Sequence, residues 1–331
     1  MQIYNNKEYG GYLPIENFIT NKNNHYFEYK DKTSIFLNCG RACFYVAAKS
    51  AEIKKIYIPF FNCEETSQPF KDLNIPIAYY RLDKDLLPDD VSLKKNEFIL
   101  WTNYYGNAAE DTISLISDKY SGQLIIDNCH AFFSPPLNNA FNCYSARKFI
   151  GVSDGAYLVT DLKRNLDLEG LEKDNSSPYM EHLFKQLEQG TNNAYQLSLK
   201  NEKRLEKNYK LMSLTSEKIL SQVDYEKIRK IRNQNFNTIH FLLSKFNHFP
   251  INENSKTHMY YPFKYKDLDL RQKLLNNKVY NPIWWRHVID KCGKNSIESE
   301  YSLETILLPI DQRYSEKDIE ALSDLILRLI S

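Results

Sequence analysis

The chain has 331 residues, of which 43 are Lys or Arg and 42 are Asp or Glu, so its formal net charge is only +1. This balance, without a block of basic residues, argues against a nucleic-acid partner, because such partners need concentrated positive charge. The length suits about two domains whose core needs no disulfide or metal. Six cysteines, at positions 39, 43, 63, 129, 143 and 292, lack metal-binding spacing, and we interpret them as reduced thiols.

Apolar runs are short throughout the sequence. The longest, such as residues 56–61, are far below the roughly 20 residues that cross a bilayer. The N-terminal residues, Met1-Gln2-Ile3-Tyr4 and those that follow, include neither the basic region nor the apolar region of a signal peptide. The sequence therefore predicts no membrane partner and a cytoplasmic location.

Short β-rich runs alternate with helical stretches between residues 33 and 160. The predicted strands are 34–37, 55–58, 75–81, 98–101, 123–126, 141–144 and 156–160, and the predicted helices are 41–51, 64–73 and 109–119. Several strands are continuously apolar, as in Leu124-Ile125-Ile126, which is typical of a parallel sheet covered on both faces. The alternation predicts a doubly wound α/β domain whose ligands bind at the carboxyl ends of the strands.

The pattern changes after Thr160. Residues 163–210 are rich in Lys, Glu and Asn and predict helices and connectors. Beyond them we predict a long helix over 216–246, a strand over 258–265, a helix over 268–276, a strand over 304–308 and a final helix to Leu329. Ser315 and Asp318 form a capping-box pattern at the start of that final helix. We expect a large domain of residues 1–210 and a small C-terminal α+β domain of residues 211–331.

Three motifs fall at the ends of predicted strands. In Asn38-Cys39-Gly40-Arg41, backbone N–H groups at a helix start and a guanidinium can hold a phosphate. Asp127 ends an apolar strand, where a carboxylate can pair with a cationic ring nitrogen. Lys148 precedes the turn Ser153-Asp154-Gly155, and its amine can form a Schiff base there. Taken alone, each motif is at least as typical of an ordinary turn, a helix cap or a solvated charge.

Together these motifs resemble the pyridoxal-phosphate enzymes of fold type I, most closely the DegT/DnrJ/StrS-type aminotransferases that act on nucleotide-linked keto sugars. That family has a glycine turn, then Asp-x-x-(His or Gln), then a lysine before a Gly-Asp-Gly-Gly-like turn. The corresponding residues here are Gly40 with Arg41, Asp127 with His130, and Lys148, which follows Asp127 by 21 residues. Segments 101–106 and 308–315 also resemble the family, so the resemblance covers most of the chain.

The resemblance implies the fold and the catalytic roles. The fold would be type I, with a mostly parallel sheet in the large domain and a small C-terminal α+β domain. Lys148 would hold pyridoxal 5'-phosphate through a Schiff base and then move a proton. Asp127 would keep the pyridine nitrogen protonated so that the ring acts as an electron sink, and His130 would hydrogen-bond the ring's phenolic oxygen. A core or capping histidine is the alternative interpretation of His130.

The resemblance also implies contacts to the rest of the cofactor, with departures from the family pattern. Gly40, Arg41 and Ser145 would hold the phosphate. Ser145 lies three residues before the lysine, whereas the family serine often lies further back, where this chain has Cys143. The ring-stacking position corresponds to Cys63, so a neighbouring aromatic or the thiol itself would contact the ring.

The second domain is expected to close over the substrate. Trp284 and Trp285, beside a proline and Arg286, can pack a sugar or base while binding an anion, although a packed turn in the core fits the pattern equally well. Tyr104 is a further candidate for the wall of the cleft. Arg286 and Arg313 are both candidates for a donor carboxylate or a diphosphate. We interpret the Lys/Glu runs around 200–210 as a solvated helix face.

The leading hypothesis is a homodimeric transaminase. It would transfer nitrogen from glutamate, or a similar donor, to a nucleotide-linked keto sugar in surface polysaccharide, O-antigen or glycoside biosynthesis. A sugar dehydratase is disfavoured because relatives specialised for dehydration carry histidine at the Lys148 position. An inert binding protein of the same fold is disfavoured because Lys148 and Asp127 are both present. A nicotinamide-binding domain is disfavoured because residues 38–44 contain one glycine rather than Gly-x-Gly-x-x-Gly.

Overall fold

A computed structural model describes residues 9–11, 25–163, 165–255, 258–267, 269–281 and 283–331. Leu268, at the start of a predicted helix, and Pro282, next to the two tryptophans, lie outside the described residues. No helix in these ranges combines the length and apolar character needed to cross a membrane.

The described elements follow the predicted alternation closely. The strands are β1 (Tyr9–Gly10), β2 (Thr33–Leu37), β3 (Lys55–Pro59), β4 (Ile77–Tyr80), β5 (Glu97–Thr102), β6 (Leu124–Asp127), β7 (Ala140–Ser145), β8 (Ala156–Thr160), β9 (Tyr260–Lys264), β10 (Val279–Tyr280) and β11 (Thr305–Pro309). The helices are α1 (Gly40–Ser50), α2 (Gln68–Asp72), α3 (Glu110–Lys119), α4 (Glu181–Gln189), α5 (Thr191–Arg204), α6 (Leu214–Leu220), α7 (Tyr225–Leu243), α8 (Asp269–Asn276), α9 (His287–Cys292), α10 (Ile297–Glu304) and α11 (Glu316–Ile330).

Seven strands form one sheet in the order β2-β8-β7-β6-β5-β3-β4. Strands β4, β3, β5, β6 and β7 pair in parallel, whereas β8 runs antiparallel to both of its neighbours, β2 and β7. The prediction of a mostly parallel sheet is therefore confirmed. The carboxyl ends of β6 and β7 lie side by side, which places Asp127 and Ser145 at the same edge of the sheet.

Strand β6 shows why a continuously apolar run marks the centre of such a sheet. Successive side chains point to opposite faces. Leu124 and Ile126 pack in the cluster that contains Trp101, whereas Ile125 packs in the cluster that contains helix α1. Because both faces are covered, all three side chains are buried.

The C-terminal part has its own core. Strands β9 and β11 pair antiparallel, and helices α7, α8 and α11 pack against them around Phe236, Tyr261, Phe263 and Leu308. The predicted cap of the last helix is confirmed, since Ser315 and Asp318 form a reciprocal capping box.

The prediction of one helix over 216–246 is wrong. The structure has two helices, α6 and α7, with residues 221–224 between them. Asp224 begins the second helix, because its carboxylate accepts a hydrogen bond from the Lys227 backbone N–H at 3.0 Å. The Tyr225 hydroxyl donates to the Leu220 carbonyl at 2.7 Å and fixes the corner. Apolar residues at helical spacing continue through this break, so the periodicity alone did not reveal it.

Candidate active site

A cavity of 440 Å³ opens at the carboxyl ends of β6 and β7, a size typical of small-molecule sites. It brings together nine residues that the sequence singled out, although the first and the last of them are 245 positions apart in the chain. They are Gly40, Arg41, Cys63, Asp127, His130, Ser145, Lys148, Trp284 and Trp285.

Lys148 lies in the short 3₁₀ turn Ala146–Lys148, which follows β7 directly. The turn is held in place by a hydrogen bond of 3.0 Å from the Ala146 N–H to the Gly155 carbonyl. Gly155 has φ +136°, a backbone conformation that favours glycine. Within the described ranges, the Lys148 amine forms no hydrogen bond or ion pair, so it is available to a ligand in the cavity.

Asp127 is the last residue of β6 and is buried. One carboxylate oxygen, Oδ1, accepts a hydrogen bond of 3.0 Å from the Cys129 backbone N–H. The carboxylate forms no ion pair with any described side chain, and a buried charge is costly unless it has a partner. The arrangement suits a ligand that carries a positive charge on a ring nitrogen.

His130 is held in a stack of aromatic rings. The Tyr105 ring lies parallel to the imidazole at 6.2 Å, and the Trp285 ring lies nearly parallel at 5.7 Å, while Trp284 is tilted at 4.9 Å. Burial, with a further contribution from the positive charge of Lys148, holds the pKa of His130 well below its usual value. The imidazole is therefore neutral, and its buried Nδ1 has no hydrogen-bond partner among the described residues.

Tyr105 and Trp285, whose rings lie parallel to the His130 imidazole, both have a left-handed backbone conformation. Tyr105 has φ +59° and Trp285 has φ +56°. Such a conformation costs of order 1–3 kcal/mol for residues other than glycine, and it persists where the surrounding structure enforces it. The loops that contain Tyr105 and Trp285 are thus both strained where they contact His130.

The amino end of α1 forms a further wall of the cavity. A Cβ at Gly40 would lie 2.8 Å from the Cys129 sulfur, so no larger residue fits there without a shift. Arg41 follows within the first turn, and Ser145 is buried at the end of β7. Cys143 is fully buried in the sheet core and does not line the cavity.

Cys63 lines the cavity and is half-buried. Its sulfur lies 3.0 Å from the Thr66 hydroxyl, and burial raises the pKa of the thiol, which is therefore protonated at neutral pH.

Three of the sequence candidates do not line the cavity. The Tyr104 side chain is buried, and its hydroxyl donates to the Phe61 carbonyl at 2.7 Å. Arg313 forms two hydrogen bonds, of 2.7 and 2.8 Å, with the carboxylate of Asp311. Arg286 is exposed at the start of α9.

The cavity also contains residues that the sequence interpretation missed. Arg147, next to Lys148, pairs with Glu202 of α5, and Glu206 lies nearby in the same wall. Glu202 and Glu206 are exposed, as the interpretation of 200–210 as a solvated face predicts, but they also border the cavity, which that interpretation did not include. The position of Arg147 beside the candidate lysine was a usable signal, whereas nothing in the sequence marks which carboxylate reaches it.

The chain is similar to known proteins in its structure but not in its sequence. No sequence-family model and no curated protein matches the chain. Among solved structures, the sugar aminotransferase CalS13 from Micromonospora echinospora is 13% identical, with a TM-score of 0.62 over 88% of this chain and 86% of that chain. A DegT DnrJ EryC1 StrS aminotransferase from Brucella abortus is 13% identical, with a TM-score of 0.58 over 89% and 85%.

A third similar structure is Spr1654 from Streptococcus pneumoniae in its PLP form, which is 10% identical with a TM-score of 0.56 over 90% of this chain and 88% of that chain. At these identities the likeness concerns the fold. The predicted fold is confirmed: the chain has the type I fold found in sugar aminotransferases of the DegT/DnrJ/EryC1/StrS type.

Proposed function

We propose that this protein is a pyridoxal-phosphate-dependent aminotransferase that transfers an amino group from an amino-acid donor to a keto sugar. The observation that carries the proposal is that Lys148, Asp127 and His130 converge on one cavity at the carboxyl ends of β6 and β7. The fold shared with sugar aminotransferases supports it.

The groups that line the cavity match the functional groups of pyridoxal phosphate one by one. The Lys148 amine, which has no partner in the described part of the chain, suits the aldehyde. The Asp127 carboxylate suits the ring nitrogen, and the orphaned Nδ1 of His130 suits the phenolic oxygen. Gly40 and Arg41, at the start of α1, suit the phosphate.

These residues have distinct chemical roles. When bound, the cofactor would supply an electron sink for the carbon next to the transferred nitrogen. Lys148 would hold the cofactor covalently through Nζ, and the same atom, once released, would accept and return a proton. Asp127 would hold a proton at the ring nitrogen. His130 would orient the ring as a neutral hydrogen-bond donor, because its pKa is too low for it to be charged.

The cavity also has groups that suit a sugar substrate. Trp284 and Trp285 line the cavity and offer aromatic faces to a sugar ring. We propose glutamate as the donor and a nucleotide-linked keto sugar as the acceptor, within surface polysaccharide or glycoside biosynthesis. Residues 1–210 would bind the cofactor and residues 211–331 would close over the substrate, in a cytoplasmic homodimer.

A half-reaction tests this function. Protein loaded with pyridoxal phosphate is mixed with glutamate, and 2-oxoglutarate is measured. We expect about one equivalent per bound cofactor, and further turnover when a nucleotide-linked keto sugar is added. Lys148→Met is the matched control and should release none. If another amino acid reacts but glutamate does not, the donor is wrong; if none of the common amino acids reacts, the aminotransferase proposal is wrong.

A further inference from the structure

Arg147, in the wall of the cavity, forms an ion pair with Glu202. Its two terminal nitrogens, Nη1 and Nη2, donate to the two carboxylate oxygens of Glu202, the second at 2.6 Å. The Arg147 side chain is 15% exposed, and that of Glu202 is 48% exposed. The arginine therefore lies on the inner side of the pair, and the carboxylate lies nearer the solvent.

The pair leaves part of the guanidinium unused. An arginine has five N–H donors, and two of them face Glu202. The Nε–H is buried and has no hydrogen-bond partner among the described residues. A buried donor without a partner is costly, so the position favours a ligand that brings acceptor atoms into the cavity.

Three cationic side chains act on the Glu202 carboxylate. Although burial raises the pKa of Glu202, the positive charges of Arg147, Arg41 and Lys148 lower it to about 2. The carboxylate is thus ionised. Because the lining also includes Glu65, Glu206 and Asp127, an anion is favoured only beside the two arginines, not throughout the cavity. Arg41 and Arg147 line the same cavity, next to the amino end of α1, where unpaired backbone N–H groups add partial positive charge.

We propose that Arg147 binds a phosphate group with the N–H donors that Glu202 leaves free, while Glu202 acts as its counter-ion. If the proposed function holds, on which this assignment rests, the phosphate is that of the cofactor. Arg147 then anchors the cofactor next to Lys148, the residue that holds it covalently.

A purely structural pair would behave differently. If Arg147 and Glu202 only joined α5 to the Lys148 turn, Arg147→Met would weaken the binding of pyridoxal phosphate and of pyridoxal to the same extent. If Arg147 binds phosphate, its loss should weaken binding. Glu202→Gln should not, because the amide oxygen still accepts from Arg147 while the negative charge that repels a phosphate is gone.

The experiment titrates wild type, Arg147→Met and Glu202→Gln with pyridoxal phosphate and with pyridoxal, which lacks the phosphate. We expect Arg147→Met to weaken binding of pyridoxal phosphate by about 10- to 100-fold, the range for losing a hydrogen bond to a charged group. Binding of pyridoxal should change by less than about threefold. Glu202→Gln should bind pyridoxal phosphate at least as tightly as wild type, within about threefold.

Arg229→Met is the matched control. Arg229 also pairs with a glutamate, Glu226, but on the exposed surface of α7, away from the cavity. It should bind both ligands as wild type does. Thermal unfolding of each variant without ligand shows whether the fold is retained, and the ratio of the two affinities separates phosphate binding from a general loss of structure.

Inorganic phosphate is the third probe and separates this inference from the proposed function. If wild type binds phosphate through Arg147 but binds no pyridoxal phosphate, the proposed function fails and the phosphate site stands. If wild type binds pyridoxal phosphate and Arg147→Met binds it equally well, or Glu202→Gln weakens binding as much as Arg147→Met, the inference is wrong. The inference is also wrong if wild type binds neither pyridoxal phosphate nor inorganic phosphate.

Discussion

The imidazole of His130 and the indole of Trp285 lie face to face, with ring centroids 5.7 Å apart and 13° between the ring planes. His130 belongs to the loop after β6, whereas Trp285 belongs to the segment before α9, 155 positions later in the chain. The contact joins the C-terminal part of the chain to the edge of the large sheet. Burial, to which this contact contributes together with Tyr105 and Trp284, is the main reason for the low pKa of His130.

Trp285→Ala should therefore raise the pKa of His130 toward 6.5. The substitution also removes the edge-to-face contact of Trp285 with Phe61, whose ring centroids are 4.7 Å apart. We expect a loss of about 2–3 kcal/mol in the free energy of unfolding, less than for a fully buried tryptophan. An NMR titration of His130 and urea unfolding measure the two effects. Phe241→Ala, at a side chain that is 83% exposed, is the control and should change neither. An unchanged pKa in Trp285→Ala would contradict the shielding role.

The low pKa of His130 predicts a pH dependence of stability. Below about pH 6.5 the unfolded chain binds a proton at this residue that the folded protein does not, so the free energy of unfolding falls as the pH decreases. The contribution between pH 7.5 and 5 is at most about 2 kcal/mol. His130→Gln should remove that part of the fall, measured by urea unfolding at both pH values.

The control for this pH effect is His287→Gln. Burial also lowers the pKa of His287, but that residue is only partly buried. His287→Gln should therefore reduce the decrease in the free energy of unfolding between pH 7.5 and 5 by less than His130→Gln does. A His130→Gln variant that loses as much stability as wild type between pH 7.5 and 5 would show that His130 does not carry the effect.

The close approach of Gly40 to Cys129 predicts a coupling between these two positions. Gly40→Ala places a Cβ 2.8 Å from the Cys129 sulfur and should cost about 1–3 kcal/mol in the free energy of unfolding. In the Cys129→Ala background the sulfur is absent, and the cost of Gly40→Ala should fall below about 1 kcal/mol. A double-mutant cycle by urea unfolding measures this difference. Equal costs in both backgrounds would mean that the sulfur is not the obstacle.

The capping box predicts a local contribution to stability. Ser315→Ala removes the hydroxyl that accepts from the Asp318 N–H at the start of α11. We expect a loss of about 1 kcal/mol in the free energy of unfolding. Ser331→Ala, at the exposed opposite end of the same helix, is the control and should change it little. If the two variants are equally stable, the box contributes nothing measurable.

The features that the sequence predicted well depend on neighbouring residues. The strand β6 and its terminal Asp127 could be recognised because four adjacent residues carry the pattern, and the capping box could be recognised because Ser315 and Asp318 are three positions apart. The same holds for the placement of Lys148 between a strand and a glycine turn.

The features that were missed depend on contacts between distant residues. Glu202 lies in a polar run that looks like a solvated helix, and only the packing of α5 brings it to Arg147, 55 positions earlier. The break before Asp224 was hidden because the apolar spacing continues through it. Tyr105 and Trp285 could be recognised as aromatics near a turn, but their stack around His130 is set by how three loops pack together.

The proposed function is tested most directly by finding which residue binds pyridoxal phosphate covalently. The protein is incubated with the cofactor, reduced with borohydride, digested and examined by mass spectrometry. We expect one phosphopyridoxyl group per chain, on the peptide that contains Lys148, and none in Lys148→Met. Labelling spread over surface lysines in wild type, or equal labelling in Lys148→Met, would contradict the proposed function.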